Sequence, residues 1–124
     1  MQRAMVLAGF SMLLMMLAAA PSFAGYGALA YDQDAKKYGL SSDEESQGKA
    51  DDVASKECGG DKCKIIFRTG PRECGAIATE PPESGTAWGG GKGRQRPAAE
   101  LEAMTNCQKH TKGQCKVRTW ACNK

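Results

Sequence analysis

The sequence predicts a small disulfide-stapled α+β domain made of two degenerate strand–helix–strand repeats. Three observations carry that prediction. Six cysteines, Cys58, Cys63, Cys74, Cys107, Cys115 and Cys122, all follow an N-terminal segment that reads as an export signal. The triplet Ala50-x3-Ala54-x3-Cys58 recurs as Ala99-x3-Ala103-x3-Cys107, 49 residues on and with the same internal spacing. Short β-branched or aromatic runs alternate with Gly- and Pro-rich punctuation at strand and helix spacing.

Residues 1–24 carry one early charge, Arg3, then an apolar run from Met5 to Ala20. Pro21 ends any helix, and Ser22-Phe23-Ala24 offers the small residues that a signal peptidase reads, so cleavage is expected after Ala24. The run is shorter than the ~20 residues of a membrane span, and no cysteine follows it for lipid attachment. The expectation is a secreted or periplasmic protein whose residues 25–124 form one domain, with no transmembrane segment once the signal is removed. A chain of that size, poor in large apolar side chains, has a marginal core, so the cysteines must supply stability.

Within the domain, Ala30-Tyr31 and Ala87-Trp88 read as corresponding strand positions ahead of the two triplets. Half-repeats then span about residues 25–80 and 85–124. Ser42-Asp43-Glu44-Glu45 has capping-box spacing, which predicts a helix from Asp43 to Glu57 that Gly59-Gly60 terminates. In each triplet a spacing of four puts three small residues on one helical stripe, able to lie close to a sheet. Ile65-Ile66-Phe67, Ala76-Ile77-Ala78 and Val117-Arg118-Thr119-Trp120 read as short strands. Pro97 suits the first turn of a second helix running to Asn106, with Glu100 and Glu102 near its positive end. Pro81 to Gly85 and Gly89 to Arg96 read as loops.

An even set of cysteines in an oxidising compartment implies three disulfides, each contributing on the order of 2–4 kcal/mol. A zinc site is disfavoured: Cys58-x4-Cys63 is wider than a zinc knuckle, no second close pair matches it, and His110 is the sole histidine. With three cysteines assigned to each half, at least one bond must join the halves. The most symmetric pairing is Cys58–Cys63, Cys107–Cys115 and Cys74–Cys122, one of 15 connectivities.

The residues also carry a resemblance. Gly25 to Tyr31, the helix ending Cys58-Gly59, Cys63-Lys64-Ile65-Ile66, Cys74-Gly75-Ala76-Ile77-Ala78, Trp88-Gly89 and Trp120-Ala121-Cys122 resemble the family called domain of unknown function 4189, over nearly the whole exported chain. The Gly-Lys-Arg cluster between the halves departs from that pattern. The resemblance implies a bacterial, secreted, disulfide-containing fold and no catalytic residue.

Charge is split along the chain. Residues 25–62 hold nine acidic and five basic side chains, whereas residues 63–124 hold five acidic and eleven basic. The split is compatible with a solvated dipolar surface, or with a basic face that meets a protein or an anionic cell-envelope component. Its sharpest local feature is Gly89 to Arg96, where Lys92, Arg94 and Arg96 are set among glycines beside Trp88. This segment reads as a flexible connector or a cationic interaction loop. It is not a nucleotide-binding loop, because Thr86 and Gly93 stand where that motif needs Gly and Ser or Thr. No catalytic, cofactor-binding or metal-binding set converges. His110 lies between Lys109 and Lys112, and Glu44, Glu45, Asp51 and Asp52 belong to a solvated helix face. Stacking aromatics are few (Trp88, Trp120 and Phe67), which disfavours nucleic acid. The expected function is a non-enzymatic protein- or envelope-binding module of the inhibitor, immunity or effector type, with Trp88, Lys92, Arg94 and Arg96 as interaction residues. The competing expectation is a small secreted hydrolase acting on an envelope polymer.

Overall fold

The computed structural model describes residues 25–124, so the export signal expected over residues 1–24 lies outside the described residues. Two three-stranded antiparallel sheets and two helices form an α+β sandwich. The elements run β1 (Tyr26–Asp32), β2 (Lys37–Glu44), α1 (Gln47–Cys58), β3 (Lys64–Thr69), β4 (Cys74–Thr79), β5 (Trp88–Gly93), α2 (Arg96–Gln108) and β6 (Lys116–Cys122). The sheet orders are β2-β1-β3 and β5-β4-β6. The repeat is therefore strand–strand–helix–strand, one strand longer than expected. In each half the outer strands are both antiparallel to the central one and hence parallel to each other. Joining them requires a crossover, which the helix supplies.

Alternation along the central strands builds the layers. Ala28 and Ala30 pack with Ala50, Ala54 and Cys58 of α1, while Leu29 and Tyr31 point the other way. In the second half Ala76 and Ala78 meet Ala99, Ala103 and Cys107 of α2, and Ile77 joins Leu29 and Tyr31 between the sheets. A period of two puts one set under the helix and the other into the interface between sheets. The triplets predicted as a helical stripe are these buried contacts, and every alanine in them is fully enclosed.

The segment read as a loop after Trp88 is strand β5, and its glycines are a packing device. Gly89 and Gly91 face α2. A β-carbon on Gly89 would collide with the Cys107 amide nitrogen and lie 2.6 Å from the Ala103 carbonyl oxygen. One on Gly91 would strike the Ala99 carbonyl oxygen and the Ala103 amide nitrogen. Gly39 of β2 stands equally close to the Ala54 oxygen and the Cys58 nitrogen, the same atoms one repeat earlier. Low β-propensity is overridden because only a bare backbone lets the helix approach.

Helix α1 begins at Gln47 and not at Asp43. Pairing of Tyr26 with Glu44 carries β2 through the Ser42 segment, and Asp43 turns the chain with a φ of 54°. The cap is Ser46, whose Oγ accepts the Lys49 amide at 3.1 Å. Gly59 ends the helix as expected, in the left-handed region at φ 69°. Pro97 lies in the first turn of α2, which runs two residues beyond Asn106.

The disulfides are Cys58–Cys63, Cys107–Cys115 and Cys74–Cys122, the symmetric pairing. The premise of an inter-half bond fails, however. The sheets divide the chain between Thr69 and Cys74, so the second half owns four cysteines. Cys74 and Cys122 are register partners on β4 and β6 of one sheet. The halves are joined by the apolar interface and by polar contacts, the most enclosed of them made by a buried amide. Asn123 Nδ2 donates to Thr69 Oγ1 at 2.9 Å and the Gly70 carbonyl at 2.8 Å, while its Oδ1 accepts the Asp43 amide at 2.9 Å.

Candidate functional site

Register fixes which residues correspond. Leu29 pairs with Leu40 and Phe67 as Ile77 pairs with Gly90 and Thr119. Tyr31 therefore matches Thr79, and Trp88 matches Tyr38, not Tyr31 as the sequence suggested. Tyr31 and Trp88 instead stack on each other across the two halves, with ring centroids 4.3 Å apart.

That stack lies at the end of the sandwich where both central strands stop at a buried carboxylate. Asp32 Oδ1 accepts the amides of Asp34 (3.0 Å) and Ala35 (2.9 Å), and its Oδ2 accepts that of Lys62 (3.1 Å). The Ala35 amide is the largest influence holding this carboxyl below the usual range, against the opposing effect of burial. Glu80 Oε1 takes the Ala87 amide at 3.1 Å, and the carboxylate abuts Gly85 and Gly113, where a side chain would collide with it. Each carboxylate ties the loops at its end of the sheet. Burial, followed by the charge of Asp32, pushes the Tyr31 phenol up, so it stays neutral.

A bulge recurs in both halves. Between the pairs Leu29–Phe67 and Ala30–Ile65 strand β3 holds one extra residue, Ile66, and between Ile77–Thr119 and Ala78–Val117 strand β6 holds Arg118. Bulges re-aim side chains, and these two line clefts on either side of the stack. One of about 210 Å³ is bounded by Tyr31, Tyr38, Thr79, Lys36 and Arg118. A larger one of about 520 Å³ runs along Ile66, Trp88, Gly90, Asn106 and His110. A third of about 160 Å³ lies between Tyr31, Trp88, Ile66 and Lys64. Tyr31, Trp88 and Ala87 are each shared between clefts, so the three adjoin one another and together outline a groove around the stack.

Of the four residues predicted as one interaction loop, only Trp88 is here. Strand β5 is six residues long, which sets its cationic end about 17 Å away. There the cations also part. Lys92 Nζ donates to the Arg68 carbonyl at 3.2 Å. Arg96 lies 3.9 Å from the centre of the Trp120 ring and pairs with Glu100, while Arg94 stands exposed. One repeat earlier Asp51 of α1 holds Arg68 of β3 at 2.8 Å, so the cation comes from the strand in one half and from the helix in the other. Sequence reading missed Tyr31, Tyr38, Ile66, Lys36 and Arg118 as a group. Only the corrected repeat alignment, with its second strand, would have brought them together.

Among the described residues all six cysteines are bonded, and no three His, Cys, Asp or Glu side chains converge as a metal ion would require. No described helix is long and apolar enough to cross a membrane.

Comparison with known proteins agrees with this architecture. The chain is 31% identical over 103 residues to Uncharacterized protein Rv1813c of Mycobacterium tuberculosis and to Uncharacterized protein Mb1843c of Mycobacterium bovis. The match takes in 83% of this chain but 64% of each relative, so the chain spans less than two thirds of their length. The NMR structure of Rv1813c is similar with a TM-score of 0.59 at 27% identity, over 99% of this chain and 98% of that one. Residues 26–122 match the family described as Domain of unknown function (DUF4189), and the chain belongs to that family.

Proposed function

We propose that the protein is a secreted, non-enzymatic binding module, of the inhibitor, immunity or effector type, which engages a protein or envelope partner through the groove around Tyr31 and Trp88. The observation that carries this reading is the Tyr31–Trp88 stack set among adjoining clefts where the two halves meet. Trp88, half-buried and held in place by the buried Tyr31 ring, suits recognition together with the re-aimed bulge residues because little side-chain entropy is lost when a partner docks. Both buried carboxylates at this end are bound to backbone amides, a structural task that favours recognition over hydrolysis. Lys92, Arg94 and Arg96, at the far end of β5, belong to the proposal as a cationic surface that attracts an anionic partner at long range.

The test is a pull-down from envelope and secreted fractions with the oxidised protein as bait, washed at low and high salt, with the reduced protein as control. The module reading expects a stoichiometric partner that survives high salt only on the oxidised bait. Turnover of an envelope polymer by the same preparation, with no retained partner, would replace it with the hydrolase.

A further inference from the structure

The groove is chemically asymmetric, and the asymmetry sits at the two bulges. Register-equivalent positions carry Ile66 on one side of the stack and Arg118 on the other. Neither supports the core: Ile66 is 38% exposed and Arg118 is exposed. Arg118 is nevertheless held in place. Its Nε donates to Thr79 Oγ1 at 2.8 Å, which leaves both terminal nitrogens without a protein partner among the described residues. The same cleft is lined by Lys36, in the β1–β2 turn with a φ of 55°, whose Nζ makes one long contact of 3.4 Å to the Pro82 carbonyl. The one acid of this cleft, Glu80, is 6% exposed and gives an oxygen to the Ala87 amide. Arg118, fixed by Thr79, the exposed Lys36 and the two tyrosines Tyr31 and Tyr38 thus line a space of about 210 Å³.

We propose that this cleft takes a carboxylate of a protein partner between Arg118 and Lys36, while the neighbouring cleft between Trp88 and Ile66 takes a large apolar side chain close to it in the same segment. The ligand class is an acidic–apolar peptide segment, and its being a protein rests on the binding-module reading. The space beside Arg118 falls below the ~300 Å³ of an ordinary small-molecule pocket and suits one side chain. Arg, Trp and Tyr are the residue types that anchor protein interfaces. The larger cleft runs between the edge strands β3 and β5, along Ile66 and the Gly89–Gly90 backbone, where an extended segment can lie.

A random-peptide display selection on the immobilised oxidised protein tests this, with selected peptides then titrated by fluorescence anisotropy. Selected peptides are expected to carry Asp or Glu within about three residues of a large apolar side chain. Arg118→Gln and Trp88→Ala should each weaken them by about tenfold or more. Arg118→Glu should shift selection toward basic peptides, a reversal that a merely structural arginine would not produce, and Lys56→Ala on α1 should change nothing. Acidic peptides that bind Arg118→Glu as well as wild type would overturn the proposal, as would a selection without acidic enrichment or one that yields no binder. A salt-resistant partner in the pull-down would preserve the module reading in each of those cases.

Discussion

Replacing Gly91 by alanine adds a single methyl group to the segment that a sequence reader takes for a flexible linker. The two readings predict opposite signs. In a flexible linker the change reduces the freedom of the unfolded chain and stabilises by about 0.4–1 kcal/mol. In strand β5 the new carbon would strike the Ala99 oxygen and the Ala103 nitrogen and lie 2.8 Å from the Glu102 carbonyl carbon. Comfortable carbon contacts begin near ~3.5 Å. All three atoms are helix backbone, so α2 must move away from the sheet as a body and open the contacts of Ala99 and Ala103. Overpacking of that kind costs about 3 kcal/mol. In a domain of this size the loss lowers Tm by roughly 12–24 °C. Gly48→Ala is the internal control, because nothing lies within 4 Å of a β-carbon at that helical position. It should gain about 0.5 kcal/mol. Calorimetry on both oxidised variants decides the matter. A Gly91→Ala protein that melts at or above the wild-type temperature would refute the packing of α2 on β5.

Loop length orders the disulfides. Removing Cys74–Cys122, which closes 48 residues, should cost about 4 kcal/mol, against about 2 kcal/mol for Cys58–Cys63, which closes five, as read by urea midpoints of the double serine variants. Asn123→Ala should cost about 2–3 kcal/mol, because the Asp43 amide loses its acceptor and one polar tie between the halves is cut; equilibrium urea unfolding measures it. Asp32 gives a pH dependence. Its folded carboxyl titrates below the unfolded one, so its stabilisation is present above the ordinary carboxylate range and is lost as pH falls through that lowered value. Thermal melts between neutral and acid pH should show a steeper loss for wild type than for Asp32→Asn, and parallel curves would remove Asp32 from the account.

The helices and disulfides were legible because helix spacing and cysteine order are local and repeat. The alanines at intervals of four, the stops at Gly59 and the start at Pro97 need no tertiary information. Strand β2 was hidden because Lys37 to Glu44 is polar, with Tyr38 and Leu40 as its only large apolar residues. Its disappearance shifted the repeat alignment, moved Cys74 into the wrong half and matched Trp88 to Tyr31. Strand β5 was hidden for another reason: glycine at alternate positions records how near a helix lies, a distance that no propensity encodes. The groove followed the same fate, since its residues come from β1, β2, β3, β5 and β6 and meet only when the two sheets face each other.

The central claim is that recognition occurs around Tyr31 and Trp88. Chemical-shift mapping of the 15N-labelled oxidised protein, titrated with the partner that the pull-down captures, addresses it most directly. The account predicts shifts at Tyr31, at Ala87 to Gly90, at the Trp88 indole and at Arg118, with Arg94, Arg96 and Trp120 little changed. Shifts confined to Lys92 through Arg96 and the Trp120 indole would contradict it and return the site to the cationic end of β5.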